Sequence, residues 1–414
     1  MIRRHGAEAA RVRHALALRT AVLGLFADGD PKVDERDAIQ HAPEDAWHIL
    51  LTCECCALPL AARLHAHRLF DTLPATTQRR ISAAALAELQ RVLAARSTLG
   101  ALDLACATLD ITPIVLKGGA IAGQHRNPPL DLGDVDALVG ERDAARLWAH
   151  LRTLGWRRRS GDPMPPTPTH VDANHVEGLL PAAEGLPLEL HTRLDYHPRP
   201  TEDVLSQTRP LEGHRMLRRL VGADAFVAAL RHSVVKHPHR RGHLRDLVLL
   251  ASALSECGEG FGRIDELLAA DPMAPELMAM CAQARAMAEG RPIVDDPPTR
   301  RYVTWKYVTF VQPVGLLGRL PGWAGLNYLP LEREETRRAE LGRQLRYALG
   351  PVPATSPFAA FGQRGVDPTD DAGTARVRRG ASRAMRALYR IGLLTLLVLT
   401  SRSTRRRIDF MSRS

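Results

Sequence analysis

Aromatic side chains are scarce in this chain: Phe, Trp and Tyr together make up 5% of its 414 residues. Platforms for single-stranded nucleic acid stack bases on aromatics interleaved with cations, and no such interleaving accompanies the basic clusters here. Nucleic-acid binding is therefore the weaker reading of the charge. Cysteines are few, at positions 53, 55, 56, 106, 257 and 281. A secreted disulfide scaffold would be shorter and denser, so these read as reduced thiols of a cytoplasmic protein. Cys53, Cys55 and Cys56 lie near His65 and His67, but no second Cys pair sits at zinc-ribbon distance. They read as small buried helix residues. Long apolar runs are missing too. Glu8, Arg11, Arg13 and Arg19 interrupt the N-terminal stretch, which does not read as a signal peptide. The most apolar run, residues 391–400, falls short of the roughly 20 residues that cross a bilayer, so no membrane span is expected.

What the chain has in excess is positive charge. Lys and Arg number 56 against 46 Asp and Glu, a net charge of +10. The excess suits an anionic partner such as a nucleotide or membrane headgroups, although Arg-rich compositions drift basic without one. Hydrophobic residues at 45% and charged residues at 25% are globular values. Ala, Leu and Arg dominate, a mixture that favours helix.

Residues 1–96 read as a helical N-terminal region, with stripes at Leu16, Leu18, Val22 and Leu25, then Trp47, Leu50, Leu51 and Leu58, then Leu86, Leu89, Val92 and Leu93. Residues 97–200 read as an α/β core. In it Ile114-Val115-Leu116 and Asp134 to Val139 are strands, and 175–180 pairs with 186–194 across a Gly-containing turn. Prolines mark residues 126–132 and 161–169 as loops. Residues 201–290 read as helical again, and 291–414 as a helical and irregular region ending in a basic tail. The fold class expected is α+β: a small mixed-sheet core embedded between helical N-terminal and C-terminal regions.

The chemistry concentrates in the core. Asp134 and Asp136 are two apart at the start of an apolar strand, so their side chains share a face. Buried carboxylates there are costly without a partner, and such a pair suits a hard divalent cation held together with substrate phosphates. Lys117-Gly118-Gly119 lies between a strand and a helix, where backbone amides and a lysine can hold phosphate oxygens. Glu189, the acidic residue within the apolar alternation Leu188-Glu-Leu-His191, supplies a third carboxylate. His191 shares its face. It reads either as a sheet histidine or as a group that orients a carboxylate. His170, Asp172, His175 and Glu177 lack tight ligand spacing and are not assigned a metal.

These residues, in this order, resemble the bacterial uncharacterised nucleotidyltransferase family, a branch of the polymerase-beta-like superfamily. The resemblance is carried by Lys117-Gly118, Gly133-Asp134-Val-Asp136, Leu188-Glu189-Leu-His191 and the later His232, Lys236, His237 and Asp246, over about residues 40–270. Leu130 stands where the family usually has a basic residue, and Thr192 where an aromatic is common. The resemblance implies a Mg²⁺-dependent (or Mn²⁺-dependent) enzyme that moves a nucleoside monophosphate from an NTP to a hydroxyl or phosphate. Asp134, Asp136 and Glu189 would be the catalytic metal carboxylates. Lys117, Gly118 and Gly119 would contact the nucleotide. Acceptors compatible with the family are small molecules, peptides or proteins, and tRNA. The alternative is a catalytically inactive nucleotide-binding scaffold.

Two basic stretches remain. His232 and Lys236 are one turn apart and read either as nucleotide contacts or as a solvated face. Residues 376–407 carry ten Arg and no acid around the apolar run. That pattern suits either a disordered arm or a segment lying on anionic lipid, peripheral to the inner membrane.

Overall fold

The computed structural model describes residues 2–122, 132–158, 178–194, 197, 201–236, 241–257, 261–269, 271 and 274–311. The prolines of 126–131 and 161–169, the cluster at His170 to Glu177 and the basic tail all lie outside these residues.

The described chain opens with helices: α1 (Ile2–Gly24), α2 (Val33–Gln40), α3 (Glu44–Glu54), α4 (Ala57–Ala66) and α5 (Ala75–Leu109). The core then brings β1 (Ile114–Val115), α6 (Lys117–Ala122), β2 (Val135–Leu138), α7 (Glu141–Thr153), β3 (Arg157–Arg158), β4 (Leu179–Leu180) and β5 (Leu188–His191). After α8 (Thr201–Leu205) come β6 (Thr208–Pro210) and β7 (Arg218–Leu220), then α9 (Gly222–Arg231), which runs into a π-helical turn, His232–Lys236. Helices α10 (Leu244–Ser255), α11 (Phe261–Ala269), α12 (Ala274–Ala288) and α13 (Pro297–Val311) complete the described chain. This is the α+β class expected from the sequence.

The strands form one mixed sheet in the order β3-β4-β5-β2-β1-β7-β6. Its centre is built on β2, which pairs parallel to β5 and antiparallel to β1. Alternation divides the sheet into two faces. Val115, Val135, Ala137, Leu188 and Leu190 pack with Leu99 and Leu102 of α5 and Leu147 and Leu151 of α7. Ile114, Leu116, Leu138 and Leu220 face the other way, where Ala225 and Ala228 of α9 cover them. A larger core joins α1, α3, α4, α9, α10, α12 and α13, and Ile121 of α6 reaches into it.

Three expectations need correction. Residues 208–220 are not helical: they form β6 and β7, and β7 adds parallel to β1. Helix α5 is continuous through residue 97. Its buried stripe is Ile81, Ala85, Glu88, Val92, Ala95, Leu99 and Leu102, whereas Leu86 and Leu93 are exposed. Glu88 occupies a core position because its carboxylate accepts the backbone N–H groups of Ala57 and Leu58, at 2.8 and 2.7 Å, at the start of α4. Those are donors that a helix start leaves orphaned. Helix α5 is also long and apolar enough to cross a membrane; in this fold it packs against α3, α4, α6 and α7.

Other carboxylates do similar work over longer distances. Asp103 of α5 accepts the backbone N–H groups of Met216 and Leu217, which fixes the entry to β7. Glu54, fully buried at the end of α3, accepts the N–H of Leu244 at 2.7 Å and the hydroxyl of Tyr307 at 3.0 Å. Lys306 and Arg19 lie 3.4 and 3.6 Å from the same carboxylate, and Arg19 also pairs with Asp295. Burial alone would raise the Glu54 carboxyl; the two cations and the two donors outweigh it and hold the group below its ordinary value. This cluster ties α1, α3, α10 and α13 together. Beside it Cys53 is held as a thiol, pushed up to about 12 by burial, and no disulfide joins any of the six cysteines.

Candidate active site

The site is built on the central strands. Asp136 of β2 stands opposite Glu189 of β5 in the parallel register, and His191 lies two residues further along β5. The three residues alternate with the apolar positions that face α5 and α7, so they project from the opposite face, toward α9. Asp136 and His191 are buried and Glu189 is half-buried. Each offers a ligand atom, and these atoms lie within 4.8 Å of one another. Among the described residues this is the one group of His, Cys, Asp and Glu that meets that spacing.

Asp136 is the hub. Its Oδ1 accepts from Lys117 Nζ at 2.9 Å and lies 2.6 Å from His191 Nε2. Burial would push the carboxyl up. The Lys117 ammonium, the bond from His191 and the nearby His191 and His232 rings more than offset this, and hold it well below the usual carboxylate range. Asp136 is therefore an anion throughout the physiological range. With Nε2 engaged on Oδ1, the imidazole orients the carboxylate, as outer-shell partners of metal ligands do. The oxygens of Asp136 and Glu189 are then the hard donors that Mg²⁺ or Mn²⁺ prefers, so the donor set fits such an ion. Asp134 precedes β2 by one residue. It is half-buried and is not one of the three residues within that spacing.

Lys117 reaches Asp136 from the start of α6. Its φ of 52° is in the left-handed region, which residues with side chains seldom occupy. Gly118 and Gly119 follow it and are buried. A Cβ on Gly118 would lie 2.3 Å from Leu132 Cδ2, and one on Gly119 would lie 3.1 Å from Val115 Cγ1. Gly119 lets α6 lie close on Val115 and Val135 of the strands, and Gly118 sits against the end of the Leu132 side chain.

Beside the carboxylates an open cleft runs between the sheet and helices α9 and α10. Lys117, His191 and His232 line it at the Asp136 end. Much of its wall is small and apolar: Leu116, Ala120, Leu220, Ala225, Ala228 and Ala253. The ion pair of Arg219 and Glu256 also borders it. His232 lines the cleft from the π-helical turn after α9, near enough for its ring to act on the Asp136 carboxylate. Only the backbone of Lys236 falls within the described structure. Sequence reasoning did not find Arg219, Glu256 or the alanines of α9. The available signal was the small-residue spacing of Ala225, Ala228 and Ala229 on a short helix.

A family model described as an uncharacterised nucleotidyltransferase matches residues 56–271, more than half of the chain. No curated protein and no solved structure gave a match. The chain belongs to the uncharacterised nucleotidyltransferase family.

Proposed function

We propose that this member of the nucleotidyltransferase family transfers a nucleoside monophosphate from an NTP to a hydroxyl or phosphate of an acceptor, using a divalent ion held by Asp136 and Glu189, with Asp134 as the third carboxylate. The observation that carries the reading is the register pairing of Asp136 with Glu189 at the end of a cleft lined by Lys117 and His232. A bound Mg²⁺ would neutralise phosphate charge and lower the pKa of a coordinated hydroxyl.

The protein's own residues have separate roles. His191 fixes Asp136, and the pair of carboxylates defines where the α-phosphate must lie. Lys117, His232 and Lys236 meet the charge of the triphosphate, and the amides of Gly118 and Gly119 at the start of α6 add donors to its oxygens. The apolar stretch of the cleft excludes water from the nucleoside. The acceptor oxygen bonds to the α-phosphorus as the bond to the bridging oxygen breaks and pyrophosphate leaves. The proton of a hydroxyl acceptor passes to the half-buried Glu189.

Incubation with each α-labelled NTP, Mg²⁺ and fractionated cell extract, followed by mass analysis of labelled products, tests the reading and identifies the acceptor. Pyrophosphate released over many turnovers supports transfer. Saturation at one nucleotide per chain, with no pyrophosphate, supports the inactive nucleotide-binding scaffold instead. Residues 376–407 extend the proposal: their ten Arg and apolar run suit attachment to an anionic membrane surface from the cytoplasm.

A further inference from the structure

The Asp136 carboxylate carries two donors on the same oxygen, and they differ in freedom. His191 is 2% exposed in its side chain and is fixed on a strand; Lys117 is 16% exposed and opens α6 beside the cleft. Its ammonium ends a flexible four-carbon stem. A divalent ion approaching Asp136 and Glu189 meets that ammonium as a like charge at the same carboxylate, whereas the cleft next to it is where anionic phosphates would enter. Of the two donors, Lys117 is the one that can leave.

We infer that Lys117 is a displaceable counter-ion: it neutralises Asp136 when no divalent ion is bound, and transfers to the NTP phosphates when the ion takes the carboxylate. The inference rests on the nucleotidyl-transfer reading above. The exchange couples the two ligands. Metal binding releases the cation that the nucleotide needs, so each ligand raises the affinity of the other by the same factor.

Calorimetry on the full chain tests the exchange. Mg²⁺ or Mn²⁺ would be titrated alone, and an α,β-methylene NTP analogue would be titrated at saturating metal, for the wild type, Lys117→Met and Lys117→Gln. Removing the ammonium is expected to tighten binding of the metal alone and to weaken binding of the analogue, each by about 5-fold or more, the lower end of ordinary site coupling. Such opposite signs do not follow from a generally damaged site. Lys117→Gln keeps a donor to Asp136, so it covers the case in which Lys117→Met does not fold, as read by its thermal melt. Metal affinity that is unchanged or weaker in a folded variant overturns the inference, and so do two affinities that fall together. A wild type that takes up neither ligand overturns the nucleotidyl-transfer reading itself. A wild type that binds both, with folded variants lacking the opposite shifts, overturns only the role of Lys117.

Discussion

Asp136 and Glu189 occupy directly opposed positions on adjacent parallel strands, so two carboxylates are held side by side on one face of the sheet. Like charges this close would repel in an apolar setting. Lys117 and His191 offset the repulsion on the Asp136 side. The fold thus holds the carboxylate pair at the end of a cleft lined by basic groups.

The buried Glu54 cluster makes stability depend on pH. Its folded carboxyl is depressed, so its contribution is complete above the unfolded glutamate value, about 4.3, and is lost as pH falls through the lower folded value. Glu54→Gln leaves Lys306 and Arg19 facing a neutral group and should cost roughly 3 kcal/mol at pH 7. Denaturant unfolding at pH 7 and at successively lower pH should show the gap between wild type and variant narrowing in acid. A gap that stays constant or widens would refute the assignment.

The packing of α6 predicts an interaction between Gly118 and Leu132. Gly118→Ala puts a methyl group where the Leu132 side chain sits, an overpacking expected to cost about 1–3 kcal/mol. Leu132→Ala alone should also destabilise, by leaving a cavity. The double variant should be more stable than the sum of the two losses requires. Additive losses in urea unfolding would show that the two positions are not in contact.

Glu88 caps α4 from inside the α5 seam. Glu88→Ala removes the acceptor of one buried and one part-buried backbone donor and should destabilise by about 2 kcal/mol. Hydrogen exchange at the Ala57 and Leu58 amides should accelerate. Unaltered protection there would mean that solvent or another group satisfies them.

The tail makes a separable prediction. Each Arg near an anionic surface contributes about 1 kcal/mol, screened by salt. Full-length protein should sediment with anionic liposomes at low salt and be released at high salt, and a 1–370 truncation should stay in the supernatant. Full-length protein that remains soluble under all these conditions would remove the membrane proposal.

The positions of Asp136 and Glu189 on neighbouring strands are legible in the sequence because each interrupts an apolar strand pattern, and period-2 alternation puts His191 on the face of Glu189. The partners of Glu54, Glu88 and Asp103 are not legible. A carboxylate that accepts backbone amides of a distant segment leaves no local spacing. Strands β6 and β7 escape detection for another reason: Thr208-Arg-Pro210 and Arg218-Arg-Leu220 are too short and polar to show an alternation. The exposed Leu86 and Leu93 mimic a buried stripe, while the real seam runs through alanines and Glu88.

In the proposed reaction Asp136 and Glu189 hold the metal that drives nucleotidyl transfer. Its most direct test is pyrophosphate release, with the acceptor identified as above, by the wild type, Asp136→Asn and Glu189→Gln at saturating Mg²⁺ and NTP. Melting curves recorded in parallel would establish that each variant is folded. The account predicts multiple turnovers for the wild type and a loss of several orders of magnitude in both folded variants. Turnover within a few-fold of wild type in either one would contradict it.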